Sequence, residues 1–105
     1  MKCDINSIWT RETGRWNGKD YVDRKVSDPV EKIIQMEIVD HGGISPVLQF
    51  RGGPTGYESY HVQSFKDRPP KADWFCICAG TINSWSCCKV ETKKVLEFIA
   101  ESESV

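Results

Sequence analysis

A chain of 105 residues, 39% hydrophobic and 28% charged, is sized for one domain around one core, and the mixture is neither disordered nor membrane-like. Fourteen Lys and Arg stand against fifteen Asp and Glu, for a net charge of −1. No basic block marks a phosphate-binding stripe, which argues against nonspecific binding to nucleic acid or to a membrane surface.

No apolar run approaches the ~18 residues of a membrane span. The opening MKCDINSIW has neither the apolar stretch nor the small-residue cleavage site of a secretory signal. The expected setting is therefore the cytoplasm, where the five cysteines would be reduced.

In chain order, INSIWT (5–10) and DYVDRKV (20–26) read as short strands, joined across the turn dipeptide Asn17-Gly18 into a first hairpin. SDPVEKIIQMEIVDHGG follows. Asp28 is a good N-cap, Pro29 suits the first helical position, and Glu31 falls three residues after the cap. Val30, Ile33, Ile34 and Ile38 share a helical face, and Gly42-Gly43 supply a stop. These signals predict a helix. A rival strand reading rests on Ile34, Met36 and Ile38 alternating with Gln35 and Glu37, with the chain then turning at 40–43.

SPVLQFR (45–51) predicts a strand, GGPTG a loop, and YESYHVQSF (57–65) another strand, ended by the prolines of KDRPPK. Residues 74–90 supply two more strands. ETKKVLEFIAESE predicts a final helix with Thr92, Val95, Leu96 and Ile99 on one face. Together these give one α+β domain over 1–105: a single antiparallel sheet of about five to six strands with two helices packed on one face.

The stretch WFCICAGTINSWSCC holds four of the cysteines. Folded as a hairpin turning near Thr81-Ile82, it sets Cys76 opposite Cys87 and Cys78 opposite Trp85. Trp74, Cys76, Cys78, Trp85 and Cys87 then line one face; Phe75, Ile77, Ala79, Cys88 and Val90 line the other. Cysteines so placed pack as small hydrophobes inside the sheet. A zinc site would need Cys76, Cys78 and Cys87 plus His41 or His61, but strand CxC spacing lacks the knuckle turn, and Cys87 and Cys88 point to opposite faces. No metal and no cofactor is expected. A cross-strand disulfide is geometrically possible but disfavoured in a reducing compartment.

RGGPTGY is glycine-rich, yet a strand rather than a helix follows it, so it reads as a hairpin loop and not a phosphate cradle. His61 has no matched nucleophile or carboxylate motif, and no catalytic signature occurs; catalysis is not expected. His41 reads as a capping or solvent-facing residue. Trp9 and Trp16 are large enough to anchor either the core or a partner surface.

The run SDPVEKIIQMEI, VLQFRGG, YESYHV, ADWFCICAG and TKKVLEFIAESE resembles a family of bacterial immunity proteins that neutralise polymorphic toxins, often nucleic-acid-deaminating or nuclease toxins. The likeness covers most of residues 28–103; a tryptophan segment expected after the last helix is missing. It implies a non-enzymatic protein-binding module that inhibits a toxin by occluding its active site. Partner-binding residues would then come from Arg51, Tyr57, Glu58, Tyr60, Asp67 and Arg68, in the glycine loop, the tyrosine strand and the KDRPPK connector. Two alternatives stand beside it. One is a small-molecule-binding domain or minor enzyme with a pocket lined by His61, Trp74, Cys78 and Trp85. The other is a homodimer whose aromatic patch is its own interface.

Overall fold

The computed structural model describes residues 1–40, 45–54 and 56–104, with the backbone alone at 56 and 57. Its elements are β1 (Lys2–Trp16), β2 (Tyr21–Val26), β3 (Val30–Val39), β4 (Val47–Gly53), β5 (Gly56–His61), α1 (Val62–Asp67), β6 (Trp74–Gly80), β7 (Ser84–Glu91) and α2 (Thr92–Glu103). All seven strands belong to one sheet in the order β5-β4-β3-β1-β7-β6, with β2 also paired to β1. Every strand pairing is antiparallel.

β1 organises the sheet. Its first half pairs with β3 from Lys2↔Glu37 to Trp9↔Val30, and its second half pairs with β2 from Glu12↔Val26 to Trp16↔Tyr21. β2 and β3 are thus nearly one strand, broken at Ser27-Asp28-Pro29. Proline cannot donate to a ladder, so the break falls where the sequence places one. Ser27 bridges it: its N–H donates to the Arg11 carbonyl at 2.8 Å, and its Oγ accepts the Arg11 N–H at 2.7 Å.

This corrects the helix expected from Asp28 onward. The residues that resemble a helix start mark a strand break, and the Ile34/Met36/Ile38 alternation is the true signal. Ile34 and Met36 are buried and face Ile5 and Cys3 of β1. His41, Gly42 and Gly43, the expected stop, lie outside the described residues. A second correction concerns 57–65. The strand ends at His61, and Val62 and Phe65, spaced by one helical turn, both bury on α1.

The sheet curls into half a barrel, with seven strands rather than about five to six, and the helices are not packed together on one face of it. α1 continues from the edge strand β5, and α2 from β7; the helices meet each other through the Lys66–Glu103 ion pair at 3.1 Å. The core holds Ile5, Ile34, Met36, Leu48, Phe50, Ile77, Cys88 and Val90 from strands with Val62, Phe65, Val95, Phe98 and Ile99 from helices. The curl brings the two edge strands together through side chains: Tyr60 of β5 and Phe75 of β6 lie 5.2 Å apart, and Phe65 lies 5.0 Å from Phe75. No helix among the described residues is long and apolar enough to cross a membrane.

The β6–β7 hairpin has the expected faces but not the expected register. Cys78 pairs with Cys87, Cys76 with Lys89, and Gly80 with Trp85. The shift is two residues, which keeps every side chain on its face. Its cause is the turn. Thr81 N–H closes on the Ser84 carbonyl at 2.8 Å, and Gly80, at φ +155°, sits so close to Trp85 and the Ser84 carbonyl that a Cβ would overlap both. Register decides the cysteine chemistry: Cys78 and Cys87 form a disulfide across a Cα–Cα distance of 4.2 Å. This corrects the expectation of wholly reduced, core-packed cysteines. Cys3 and Cys76 are exposed thiols, and Cys88 alone packs in the core.

Candidate functional site

β1 is long enough to run past the core, and its outer end carries the most distinctive surface. The Asn17-Gly18 turn starts it: Asn17 Oδ1 accepts the N–H groups of Lys19 and Asp20 at 2.9 and 2.8 Å, and Gly18 takes φ +95°. The tight turn sets Trp16 opposite Tyr21. Their rings pack edge-on at 5.2 Å, and Tyr21 packs in the same way on Trp85 of β7 at 5.6 Å. Edge-on packing suits the ring quadrupoles.

Glu12 anchors the Trp85 end of this triad. Its Oε2 accepts the indole N–H of Trp85 at 3.1 Å, and its Oε1 pairs with the Arg24 guanidinium. Beneath Tyr21 lies Gly14, where an added Cβ would meet the ring at 3.4 Å, an ordinary contact distance. Asn83, in the β6–β7 turn, ties the end of β1 down by accepting the Gly14 N–H on its carbonyl at 2.9 Å. Trp16 stays 44% and Tyr21 38% exposed. Val26, opposite Glu12 in the ladder, is exposed too. The result is an aromatic face with the Glu12–Arg24 ion pair beside it.

The residues expected to bind a partner are spread over β4, β5 and the end of α1. Arg51 lies on β4, held by Glu37 at 2.9 Å and Gln49 at 3.4 Å. Tyr57 pairs with Arg51 through its backbone. The Glu58 carboxylate lies over Gly53, where a Cβ would overlap it. Tyr60 points into the aromatic cluster of Phe50, Phe65 and Phe75. Burial, then the nearby Glu58, raises its phenol pKa. Asp67 accepts from Gln63 on α1 at 2.8 Å, and Arg68 closes that helix by donating its backbone N–H to the Ser64 carbonyl.

Nor do the alternative pocket residues share a cavity. Cys78 is in the disulfide and Trp85 in the aromatic triad. Trp74 borders an open groove of about 820 Å³ along α2, beneath Lys89 at 5.5 Å. His61 lines a smaller groove of about 330 Å³ at the seam between β5 and β6, with Tyr60, Ser64, Phe65, Arg68 and Phe75. Among the described residues no group of three or more His, Cys, Asp or Glu is placed to hold a metal ion. Burial is the main cause raising the Cys88 thiol pKa, against a lowering hydrogen bond with Ser7; a buried thiol held protonated is a poor nucleophile.

Sequence reasoning marked Trp16 as core or partner anchor and placed Tyr21 near the first hairpin, but it assigned Trp85 to a pocket. The Asn-Gly turn was the available signal for the Trp16–Tyr21 pair. Nothing local could announce Trp85, which arrives by β1–β7 pairing. No family model, curated protein or solved structure matches the chain.

Proposed function

We propose that the chain is a protein-binding module that performs no chemistry of its own and docks through the Trp16–Tyr21–Trp85 face. The observation that carries this reading is that Tyr21 packs edge-on against both Trp16 and Trp85 at the outer end of β1, with the Trp85 indole held by Glu12. Tyr, Trp and Arg dominate interface hot spots. Rings whose rotamers are already fixed lose little further entropy on binding. In its narrower form the module is an immunity-type inhibitor of a toxin, the role implied by the resemblance to immunity proteins. Its contact face then shifts from the β4–β5 and connector residues to the β1–β2–β7 end.

The test is affinity capture with the wild-type chain beside a Trp16→Ala/Tyr21→Ala variant of equal stability. A stoichiometric protein partner kept by the first and lost by the second supports the reading. A partner kept equally by both places recognition elsewhere.

One observation favours a second reading. The seam groove joins the cationic or polar His61, Arg68 and Ser64 to an aromatic floor of Phe65 and Phe75, and its lining includes no carboxylate. Such a groove suits a small anionic ring compound. Native mass spectrometry of the purified protein separates the readings: a retained small molecule, released by Arg68→Ala, favours the groove.

A further inference from the structure

Edge strands expose a row of unpaired N–H and C=O groups, and proteins shield them with charges, prolines or bulges. Of the open edges here, β2 (YVDRKV) carries Asp23, Arg24 and Lys25, and β5 (GYESYH) carries Glu58. β6 (WFCICAG) carries no charge and no proline. It pairs with β7 alone, in an unbroken register from Trp74↔Glu91 to Gly80↔Trp85.

The register shows which groups face outward. The 4.2 Å Cα separation of Cys78 and Cys87 marks a non-hydrogen-bonded pair. By alternation Trp74, Cys76, Cys78 and Gly80 direct their N–H and C=O groups away from β7, into the open edge. Cys76, Cys78 and Gly80 are exposed.

We propose that this edge binds β6 of a second copy of the chain, in an antiparallel pairing centred on Ile77. A twofold axis perpendicular to the sheet requires some residue to face itself, and only Ile77 as that residue pairs the whole strand. The side chains then match in size. Trp74 lies opposite Gly80 of the other copy, Phe75 opposite Ala79, Cys76 opposite Cys78, and Ile77 opposite Ile77. A bulky ring over a glycine is a favourable cross-strand pair, while the Phe75 ring keeps its place among Phe50, Tyr60 and Phe65 and asks only a small residue opposite it. The outward groups fall in hydrogen-bonded positions, with Cys76 and Cys78 exchanging bonds with each other's copies. The disulfide to Cys87 reaches back toward β7 and leaves the edge free. The pairing joins two half-barrels into one continuous sheet.

The experiment combines sedimentation over a wide concentration range with hydrogen exchange of the Cys76 and Cys78 amides. The wild type should dimerise, and those two amides should become protected as the dimer forms. Cys76→Ser should still dimerise, which removes an intermolecular Cys76 disulfide as the cause. Cys76→Pro deletes an N–H that β7 does not use; it should keep the wild-type circular dichroism and sediment as a monomer. If that variant does not fold, the wild-type amides decide the matter alone. A wild type that stays monomeric up to near-millimolar concentration overturns the proposal. So does a dimer that leaves the Cys76 and Cys78 amides open, or one that survives in a folded Cys76→Pro.

Discussion

Replacing Cys78 and Cys87 together with serine removes the one covalent staple of the β6–β7 hairpin. The bond closes a loop of sequence separation 9, for which chain entropy assigns ~2.6 kcal/mol at 25 °C. The hairpin ladder and the Thr81–Ser84 closure already restrain that loop in part, so the expected loss is about 2 kcal/mol. For a domain of this size that lowers Tm by roughly 10 °C. Thermal unfolding followed by circular dichroism reads the change. A thiol count in denaturant without reductant should find three, from Cys3, Cys76 and Cys88. Five reactive thiols in the oxidised protein, or an unchanged Tm in the double variant, would refute the register and the staple together.

Other consequences are as direct. Phe50 is fully buried, stacks on Phe75 and packs edge-on against Tyr60, so Phe50→Ala should cost about 3–5 kcal/mol in denaturant unfolding. Gly80→Ala forces a Cβ into Trp85 and the Ser84 carbonyl at φ +155° and should cost at least ~1–3 kcal/mol, with the hairpin's amides losing protection first. Tyr60 and Cys88 both have raised pKa values, so the fold holds their neutral forms and their contribution is complete below the unfolded pKa values. Through these two groups stability should begin to fall only as the pH climbs through 9.0, the ordinary thiol value, and past the phenol's 10.0. Tyr60→Phe should flatten the upper part of that fall. Under native conditions Cys3 and Cys76 should react quickly with a thiol reagent and Cys88 only on unfolding.

The parts of the fold that were legible in the sequence are those with local causes. The Asn17-Gly18 turn, the two faces of the β6–β7 hairpin and the last helix each follow from neighbours in sequence. β3 misled because two local signals disagreed. Asp28-Pro29 reads as a helix start, while Ile34, Met36 and Ile38 alternate, and a fifteen-residue β1 offered a ladder long enough to settle the contest for strand. Tertiary pairing of this kind overrides propensity. The hairpin register slipped by two because Gly80, not a residue at the tip, sets the turn, and a two-residue slip leaves the hydrophobic pattern unchanged. That slip alone separates an unpaired Cys78 from a disulfide. The aromatic face is the least legible part, since Trp85 meets Glu12 and Tyr21 only through pairing distant in the chain.

The most direct test of the proposed function is photo-crosslinking in the native cell with a benzophenone side chain at position 21, beside a control at Gln49 on β4. The account predicts a discrete protein crosslink at position 21 that is absent from position 49 and lost when Trp16→Ala is added. Equal labelling at both positions, or none at 21 while the protein is folded, would contradict the claim that the Trp16–Tyr21–Trp85 face is where a partner binds.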